Sequence, residues 1–555
     1  SHDARRRLLM TGNNVAQEAK KRVSELKGRR INFDDQWQQV KDHVWPDGGD
    51  FTYRRSPGEK STEKIYEMTA ALALEKGAAS LEAFLTPRTG RWHRLVASND
   101  RLNEMAAVKR WFEEATDVLF KWRNAPYSRF YGQVHEVWKS NLAYGNACLL
   151  VEERPEGGVV YRQIHVGSAW IDVDHNGIVD TIYREYELTA RAACKRWGDS
   201  APRCAKDALH QNPFTKHTYL TVVRPSDKYK PGIKTSMAYE ALEISCEDES
   251  VLESGGFHEL PYIWTRYTVS PHEDYGRGPA MMVLPDIKTL QEMQRAFMRA
   301  GHKVADPPLL VADDGVLGRG SKRIRISPGG INVGGLDAQG NPKIMPLQTG
   351  ARLDLSEGMM ENLRSNIREA LGVDLFDVLI RDRVQMTATE VLERQKEKGQ
   401  LLTPVVGRQQ SELLGPLIER EIKIAIRQGQ LPPMPDELVE AQGEYEIEYE
   451  SSATRMQKSD EILGLQRAVE VMMPWIEADP TLLKMWKNGK VVRHVNSTLG
   501  VPSKLVRTET EFDEIEEQAQ QESAQDNLMN QAPQVARAMR DVSEMPSAAN
   551  GEPAI

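Results

Sequence analysis

Asp274-Tyr-Gly-Arg-Gly-Pro-Ala-Met-Met-Val-Leu-Pro-Asp-Ile-Lys-Thr-Leu-Gln-Glu-Met-Gln-Arg295 is the stretch on which the reading of this 555-residue chain turns. Pro285 suits the first turn of a helix, where its missing N–H has no partner to lose. Ile287, Leu290, Met293, Phe297, Ala300 and Val304 then recur at three- and four-residue steps and draw one apolar stripe. Lys288, Glu292, Arg295, Arg299 and Lys303 take the other face. Asp306-Pro-Pro308 stops the helix, because proline cannot continue it and restricts the residue before it. The resulting rod is about 28 Å long.

Beyond it, Leu309–Val311, Lys322–Ile326, Ile331–Val333 and Lys343–Met345 are short strand-like runs separated by turns rich in glycine and proline. They predict a small sheet carried on the ends of two rods, since a second helix follows from Leu353 to Leu371. Its apolar face is expected to hold Leu355, Met359, Leu363, Ile367 and Leu371, with Glu357, Glu361, Arg364 and Arg368 opposite. Asp374–Arg383 breaks the pattern. Thr387 and Glu390 then make a capping box that opens a helix to about Arg427, with kinks expected at Pro404 and Pro416. Glu444–Glu450 alternates as a strand does, and could return to the sheet of the N-terminal region. Ser459–Ile476 and Thr481–Val495 read as helices. From Glu511 the chain is rich in Gln, Glu, Ala and Ser, and disorder is expected.

On the other side of the opening stretch, residues 12–27, Phe33–Val44, Thr69–Leu85, Arg101–Trp122 and 127–147 read as helices. The period then changes. Ala147–Glu153, Val159–His165, Ala169–Val173, Ile178–Leu188, His217–Arg224, Met237–Cys246 and Tyr262–Val269 read as an antiparallel sheet. A helical layer followed by strands is an α+β arrangement.

Composition narrows the function. Hydrophobic residues at 40% and charged residues at 28% are those of a globular protein, and no apolar run is long enough for a membrane span. Ser1-His-Asp-Ala-Arg-Arg-Arg7 has no apolar run behind it, so a secretory leader is not expected. Cys148, Cys194, Cys204 and Cys246 are too few for a disulfide scaffold; reduced thiols are expected, which fits synthesis in a cytosol. The net charge of −9 argues against a tight phosphate-gripping binder, but not against a surface that DNA slides past.

Apparent chemical motifs dissolve on inspection. Asp172-Val-Asp-His-Asn-Gly177 imitates an EF-hand opening, yet its twelfth position is Tyr183 where a bidentate Glu belongs; it reads as a hairpin turn. Gly315-Val-Leu-Gly-Arg-Gly-Ser-Lys322 puts Ser before Lys and runs into a strand, so it lacks the order of a phosphate loop. Cys194 and Cys204 have no His at metal-site spacing, and His165, His210, His217 and His258 read as ordinary satisfied or exposed residues. Trp37, Trp45, Trp92, Trp111, Trp122, Trp138, Trp170 and Trp197 read as packing residues rather than base-stacking platforms. Neither a catalytic constellation nor a cofactor or metal site is expected.

The helix–β insert–helix arrangement, with Tyr275-Gly-Arg-Gly-Pro279, Leu284-Pro-Asp-Ile-Lys-Thr-Leu290, Ala388-Thr-Glu-Val-Leu-Glu-Arg394 and Leu413-Leu-Gly-Pro-Leu-Ile-Glu-Arg420, resembles the portal (head-to-tail connector) proteins of short-tailed bacteriophages. The resemblance covers most of the chain. It implies a wing over 1–284, a first stem helix at 285–305, a β-rich clip at 306–352 and a second stem helix at 353–373. A tunnel loop at 374–386, a long kinked helix and returning strand at 387–450, a helical crown at 451–510 and a low-complexity tail at 511–555 follow.

By the same resemblance the chain is expected to form a homododecameric ring at the capsid vertex, through which double-stranded DNA is packaged and ejected. Its partners would be the large terminase subunit, which supplies the ATPase, a tail adaptor, and the major capsid and scaffolding proteins. Lys288, Arg295, Arg299, Lys303, Arg364 and Arg368 are candidates for the channel wall, although each also fits the solvated face of an amphipathic helix. Leu375, Phe376, Leu379, Ile380, Arg381 and Arg383 match the tunnel loop, and Lys322, Arg323, Arg325 and Lys343 lie in the clip. The competing classes are a phosphate-handling nuclease or ATPase of the packaging machinery, and a monomeric helical adaptor.

Overall fold

The computed structural model describes residues 2–305 apart from isolated positions, then 309–311, 339–342, 344–346, 353–373, 405–440, 444–450, 464–475 and a few single positions further on. In chain order the helices and strands begin with α1 (His2–His43), α2 (Thr69–Leu85), β1 (His93–Ala97), α3 (Asp100–Asn103), α4 (Ala106–Asn124) and α5 (Phe130–Tyr144). There follow β2 (Asn146–Glu153), β3 (Val159–Ile164), β4 (Ala169–Val173), β5 (Val179–Thr189), α6 (Ala190–Trp197) and α7 (Arg203–Gln211). Next come β6 (Lys216–Pro225), β7 (Tyr239–Ser245), β8 (Ser250–Phe257), β9 (Tyr262–Arg266), α8 (Pro279–Met282) and α9 (Leu284–Ala305). The series ends with β10 (Leu309–Val311), β11 (Ile344–Pro346), α10 (Leu353–Ala370), α11 (Gly415–Arg427), α12 (Asp436–Glu440) and β12 (Tyr445–Tyr449). The architecture is mixed α+β.

Two compact units emerge. The larger takes residues 1–92, 117–431 and 451–453; the smaller takes 93–116, 432–450 and 454–555. The centre of the larger unit is an antiparallel sheet in the order β4-β5-β6-β7-β8. Alternation along its strands gives it two apolar faces. Leu220, Val222, Leu242 and Ile244 meet Ala16, Ala19, Val23 and Leu26 of α1, while Tyr219 meets Ala190, Ala193 and Trp197 of α6 with Ala205 of α7. A second sheet, β3-β2-β9, packs against α5.

Sequence patterning splits α1 into two helices around Lys27-Gly-Arg-Arg-Ile-Asn32, where apolar spacing lapses. The helix instead continues, because Arg30 replaces an apolar residue at the buried position. Only 1% exposed, its guanidinium donates to the carbonyls of Val166 and Gly167, each at 3.1 Å, and to that of Ala169. The ring of Trp170 lies 4.7 Å away. Asp34 supplies the countercharge at 3.0 Å.

Other departures have equally local causes. The expected helix from Arg101 is two, α3 and α4. β8 escapes the pattern because it is a sheet edge whose Glu253-Ser-Gly-Gly256 centre is exposed or half-buried. α6 and α7 span only 8 and 9 residues, too short for a clear periodicity. Of the eight tryptophans read as packing residues, seven are buried, and Trp45 stacks on Tyr144 at 5.7 Å. Asp174 closes the β4–β5 turn by accepting from the N–H groups of Asn176 and Ile178, the role expected of a hairpin turn rather than of a calcium ligand.

In the smaller unit β12 pairs antiparallel with β1, from His93↔Tyr449 to Ala97↔Tyr445. β1 lies outside every strand expected from sequence. Arg94 bridges Glu448 at 2.6 Å, and Trp111 Nε1 donates to Pro432 O at 3.0 Å.

Candidate functional site

The opening stretch is held by a knot of backbone. α5 ends on Gly145 in the left-handed conformation, φ 70°, with its N–H bonded to Asn141 O. A Cβ there would lie 2.3 Å from both the Arg277 carbonyl carbon and the Gly278 nitrogen. Gly276 is equally crowded, 2.4 Å from Gly145 O by the same measure. Asn146 links the two segments: its Nδ2 donates to Gly276 O, and its Oδ1 accepts from Gly276 N and Trp264 Nε1. Tyr275 sits among Phe33, Trp37 and Trp264, its hydroxyl accepting from Ile171 N. The phrase Tyr275-Gly-Arg-Gly-Pro279 thus needs glycine for close approach and tyrosine as an anchor.

From this knot α9 runs out beside α10. Leu284, Ile287 and Leu290 are buried, Met293 and Phe297 half-buried, and Met298, Arg299, His302 and Lys303 exposed. Gln291, a polar residue absent from the apolar stripe, is 3% exposed and carries a specific load. Its Oε1 accepts from Tyr66 N and Glu67 N at 2.6 and 3.0 Å, and its Nε2 donates to Glu67 O. The inward face of α10 needs a correction. Met360, Ile367 and Leu371 are buried, whereas Met359 is 54% exposed. Two adjacent methionines leave the register of that face open in sequence, and packing resolves it in favour of the second.

The six basic candidates separate by environment. Lys288 donates to Gln39 Oε1. Arg295 lies 5.5 Å from the Tyr66 ring and 3.6 Å from Glu292. Arg364 reaches Glu67 at 2.7 Å and Glu361 at 3.3 Å, and Arg368 reaches Glu361 at 2.8 Å. Burial opposes ionisation of Glu67, but hydrogen bonds from Thr69 and Arg364 outweigh it and hold its carboxyl below the usual range. Arg299 and Lys303 are exposed near the far end of α9. Lys322, Arg323, Arg325, Lys343 and the loop residues Leu375, Phe376, Leu379, Ile380, Arg381 and Arg383 lie outside the described residues. So does the phosphate-loop lookalike at 315–322.

The chain returns to the body through a π-turn, Gln410–Leu414, leading into α11. Gln409 Oε1 accepts from Asn141 Nδ2 and Thr265 Oγ1, and its Nε2 donates to Arg266 O. Glu412 accepts from the backbone and guanidinium of Arg266. One turn of α11 further on, Glu421 forms a fully buried pair with Arg123 and accepts from the Tyr161 hydroxyl. Sequence periodicity marks Leu413-Leu-Gly-Pro-Leu-Ile-Glu-Arg420 as helical but gives no sign of these polar anchors.

A pair of helices bracketing an insert whose described ends pair as β10 and β11, all rooted in an α+β body, is the arrangement of a connector subunit. The pattern that defines the bacteriophage head to tail connecting protein family matches residues 16–506, and the chain belongs to that family. It is 26% identical over 535 residues to the probable portal protein of Bordetella phage BPP-1, covering 94% of each chain. It is 24% identical over 529 residues to the portal protein of Salmonella phage epsilon15, covering 92% of this chain and 93% of the other. The role is that of a phage portal, a structural and non-enzymatic component of the virion. Among the described residues no helix is long and apolar enough to cross a membrane.

Proposed function

We propose that copies of this chain close side by side into a homododecameric ring at the capsid vertex, with α9 and α10 flanking a channel for double-stranded DNA. The observation that carries this reading is the pairing of α9 with α10, rooted at the Gly145–Gly278 knot, in a chain of the connector family. A head-to-tail ring needs two different complementary patches per subunit, and partly exposed apolar residues such as Met282, Met298 and Met359 are available to them. Negative-stain imaging with native mass measurement tests it. A ring with a central hole is expected; a chain that stays single at every concentration and with its capsid protein refutes it.

Within that ring, Arg299 and Lys303 are the candidates best placed to meet phosphates, because they are exposed where Lys288 and Arg364 are engaged by side chains of their own subunit. Alternating Glu292, Glu357 and Glu361 would keep the attraction shallow, as a conduit requires. The wing, stem, clip and crown assignments follow the boundaries set out above. The segment 306–352, with Lys322, Arg323, Arg325 and Lys343, is the proposed clip grasped by the large terminase subunit and later by a tail adaptor. Residues 374–386 are the proposed tunnel loop. Deleting 376–382 should leave rings that assemble but leak or stall DNA; collapse of folding would instead mark the segment as a buried connector. Docking to the major capsid and scaffolding proteins belongs to the same proposal.

A further inference from the structure

We propose that Cys204, His217 and Glu247 form a binding site for a divalent ion of the zinc class. The three come from separate segments of the larger unit: Cys204 from α7, His217 from the start of β6, and Glu247 from the turn between β7 and β8. One ligand atom from each, a thiol sulfur, a ring nitrogen and a carboxylate oxygen, lie within 4.8 Å of one another. Linear spacing hides the cluster, since the sequence separates these residues by a helix, a turn and two strands.

A second observation points the same way. His217 is 7% exposed, and its Nε2 is buried without a hydrogen-bond partner among the described residues. Two residues along the same face of β6, the Tyr219 hydroxyl is buried and equally unpartnered. A buried polar atom left without a partner costs about 1–3 kcal/mol, so its persistence calls for an explanation. The other ring nitrogen, Nδ1, lies 2.7 Å from Glu247 Oε2.

The supports are in place before any ion arrives. Asp248 Oδ2 accepts from Cys204 N at 3.2 Å, and Asp248 N donates to Ser245 Oγ at 3.4 Å. The Cys204 sulfur is 3.9 Å from that same Ser245 Oγ, and Cys246 N donates to Thr218 O at 3.1 Å. Ala205 and Tyr219 pack together in one apolar cluster, fixing α7 over β6.

The donor set selects the ion. Sulfur with imidazole disfavours magnesium and calcium, which take oxygen ligands, and suits zinc, which takes Cys, His and carboxylate together. Bonds of about 2.0–2.3 Å place tetrahedral ligands roughly 3.5 Å apart. The present separations therefore close by about 1 Å, a movement open to Glu247, whose side chain is 45% exposed. Three protein ligands leave a fourth position for water. Such an ion would staple α7 and the β7–β8 turn to the start of β6.

The test is titration of the full-length chain, stripped with a chelator and kept in a thiol-free reductant, with Co(II) and then Zn(II). A thiolate-to-cobalt charge-transfer band is expected, saturating at one equivalent and bleached by zinc. Cys204→Ser should lose the band, while Cys194→Ser and Cys246→Ser keep it. His217→Gln and Glu247→Gln should each weaken binding at least about tenfold. Thermal melts establish that each variant is folded, and Glu247→Gln at the solvent edge serves if His217→Gln does not fold. No band in the wild-type chain, or a band that survives in Cys204→Ser, overturns the proposal.

Discussion

Arg364 on α10 and Glu67, in the segment leading into α2, form an ion pair at 2.7 Å across 297 positions of chain. The same Glu67 offers its backbone N–H and carbonyl to Gln291 of α9, so one residue secures both helices of the pair. A basic residue that sequence offers as a DNA contact is therefore also a structural tie. Arg364→Ala and Glu67→Ala should each destabilise the chain, with a coupling of about 1 kcal/mol in a double-mutant cycle read by chemical denaturation. Coupling indistinguishable from zero would return Arg364 to the channel candidates.

Arg299 and Lys303 should behave in the opposite way. Their double Ala variant should keep stability within about 0.5 kcal/mol, as exposed substitutions do. It should nevertheless change packaging efficiency or DNA retention in assembled particles. Unchanged behaviour in both assays removes these side chains from the DNA path.

Glycine at two contacts is a packing requirement. A Cβ on Gly77 of α2 would lie 2.4 Å from the Leu371 carbonyl oxygen at the end of α10. Backbone cannot step aside as a flexible side chain does, so Gly77→Ala should cost about 1–3 kcal/mol. Gly145→Ala should cost more, because crowding at 2.3 Å adds to a left-handed φ of 70°. Melting temperatures of the two variants beside Gly28→Ala, where nothing lies within 4 Å, give the comparison.

The Arg123–Glu421 pair is fully buried, and Glu421→Ala strands a guanidinium without its countercharge. A loss of about 3–5 kcal/mol is expected, with Tyr161→Phe losing distinctly less. Equilibrium unfolding would register both. Equal losses would mean that the hydroxyl, rather than the charge pair, holds α11 in place.

Acid should loosen the region around His165. Burial holds its imidazole down to about 4, against an ordinary value near 6.5. Above about pH 6.5 both folded and unfolded chains keep it neutral. As pH falls below that, the unfolded chain takes up a proton that the folded chain refuses, and stability is lost progressively toward pH 4, by roughly 3 kcal/mol in all. His165→Gln should flatten that part of the stability profile; an unchanged slope assigns the acid sensitivity elsewhere.

Long, regular features were the ones legible in the sequence. Thr69–Leu85 and Ala169–Val173 agree with expectation to the residue, since apolar spacing and clear turn residues coincide there. Illegible features were those where a polar side chain does the work of an apolar one. Arg30, Gln291, Gln409, Arg123 and Glu421 are buried and organise their surroundings, yet in a linear pattern each counts as a surface residue. The zinc-class cluster is hidden for a different reason, because its members meet only when α7 folds back over β6. The family resemblance rested on phrases such as Tyr275-Gly-Arg-Gly-Pro279, whose physical meaning, a backbone contact tight enough to exclude every side chain, becomes visible only beside Gly145.

The π-turn at Gln410–Leu414 gives the returning segment a strict count. An α-helix advances about 100° per residue, and the wider turn absorbs one residue more than a regular helix would. Gln409 and Glu412 clasp Thr265 and Arg266 on one side of it, while Arg420 and Glu421 engage Val151 and Arg123 on the other. Removing a single residue would regularise the coil and swing everything after it by more than a quarter of a revolution, parting one clasp or the other. Drift in length is therefore barred here, as it is for a screw cut to match its nut.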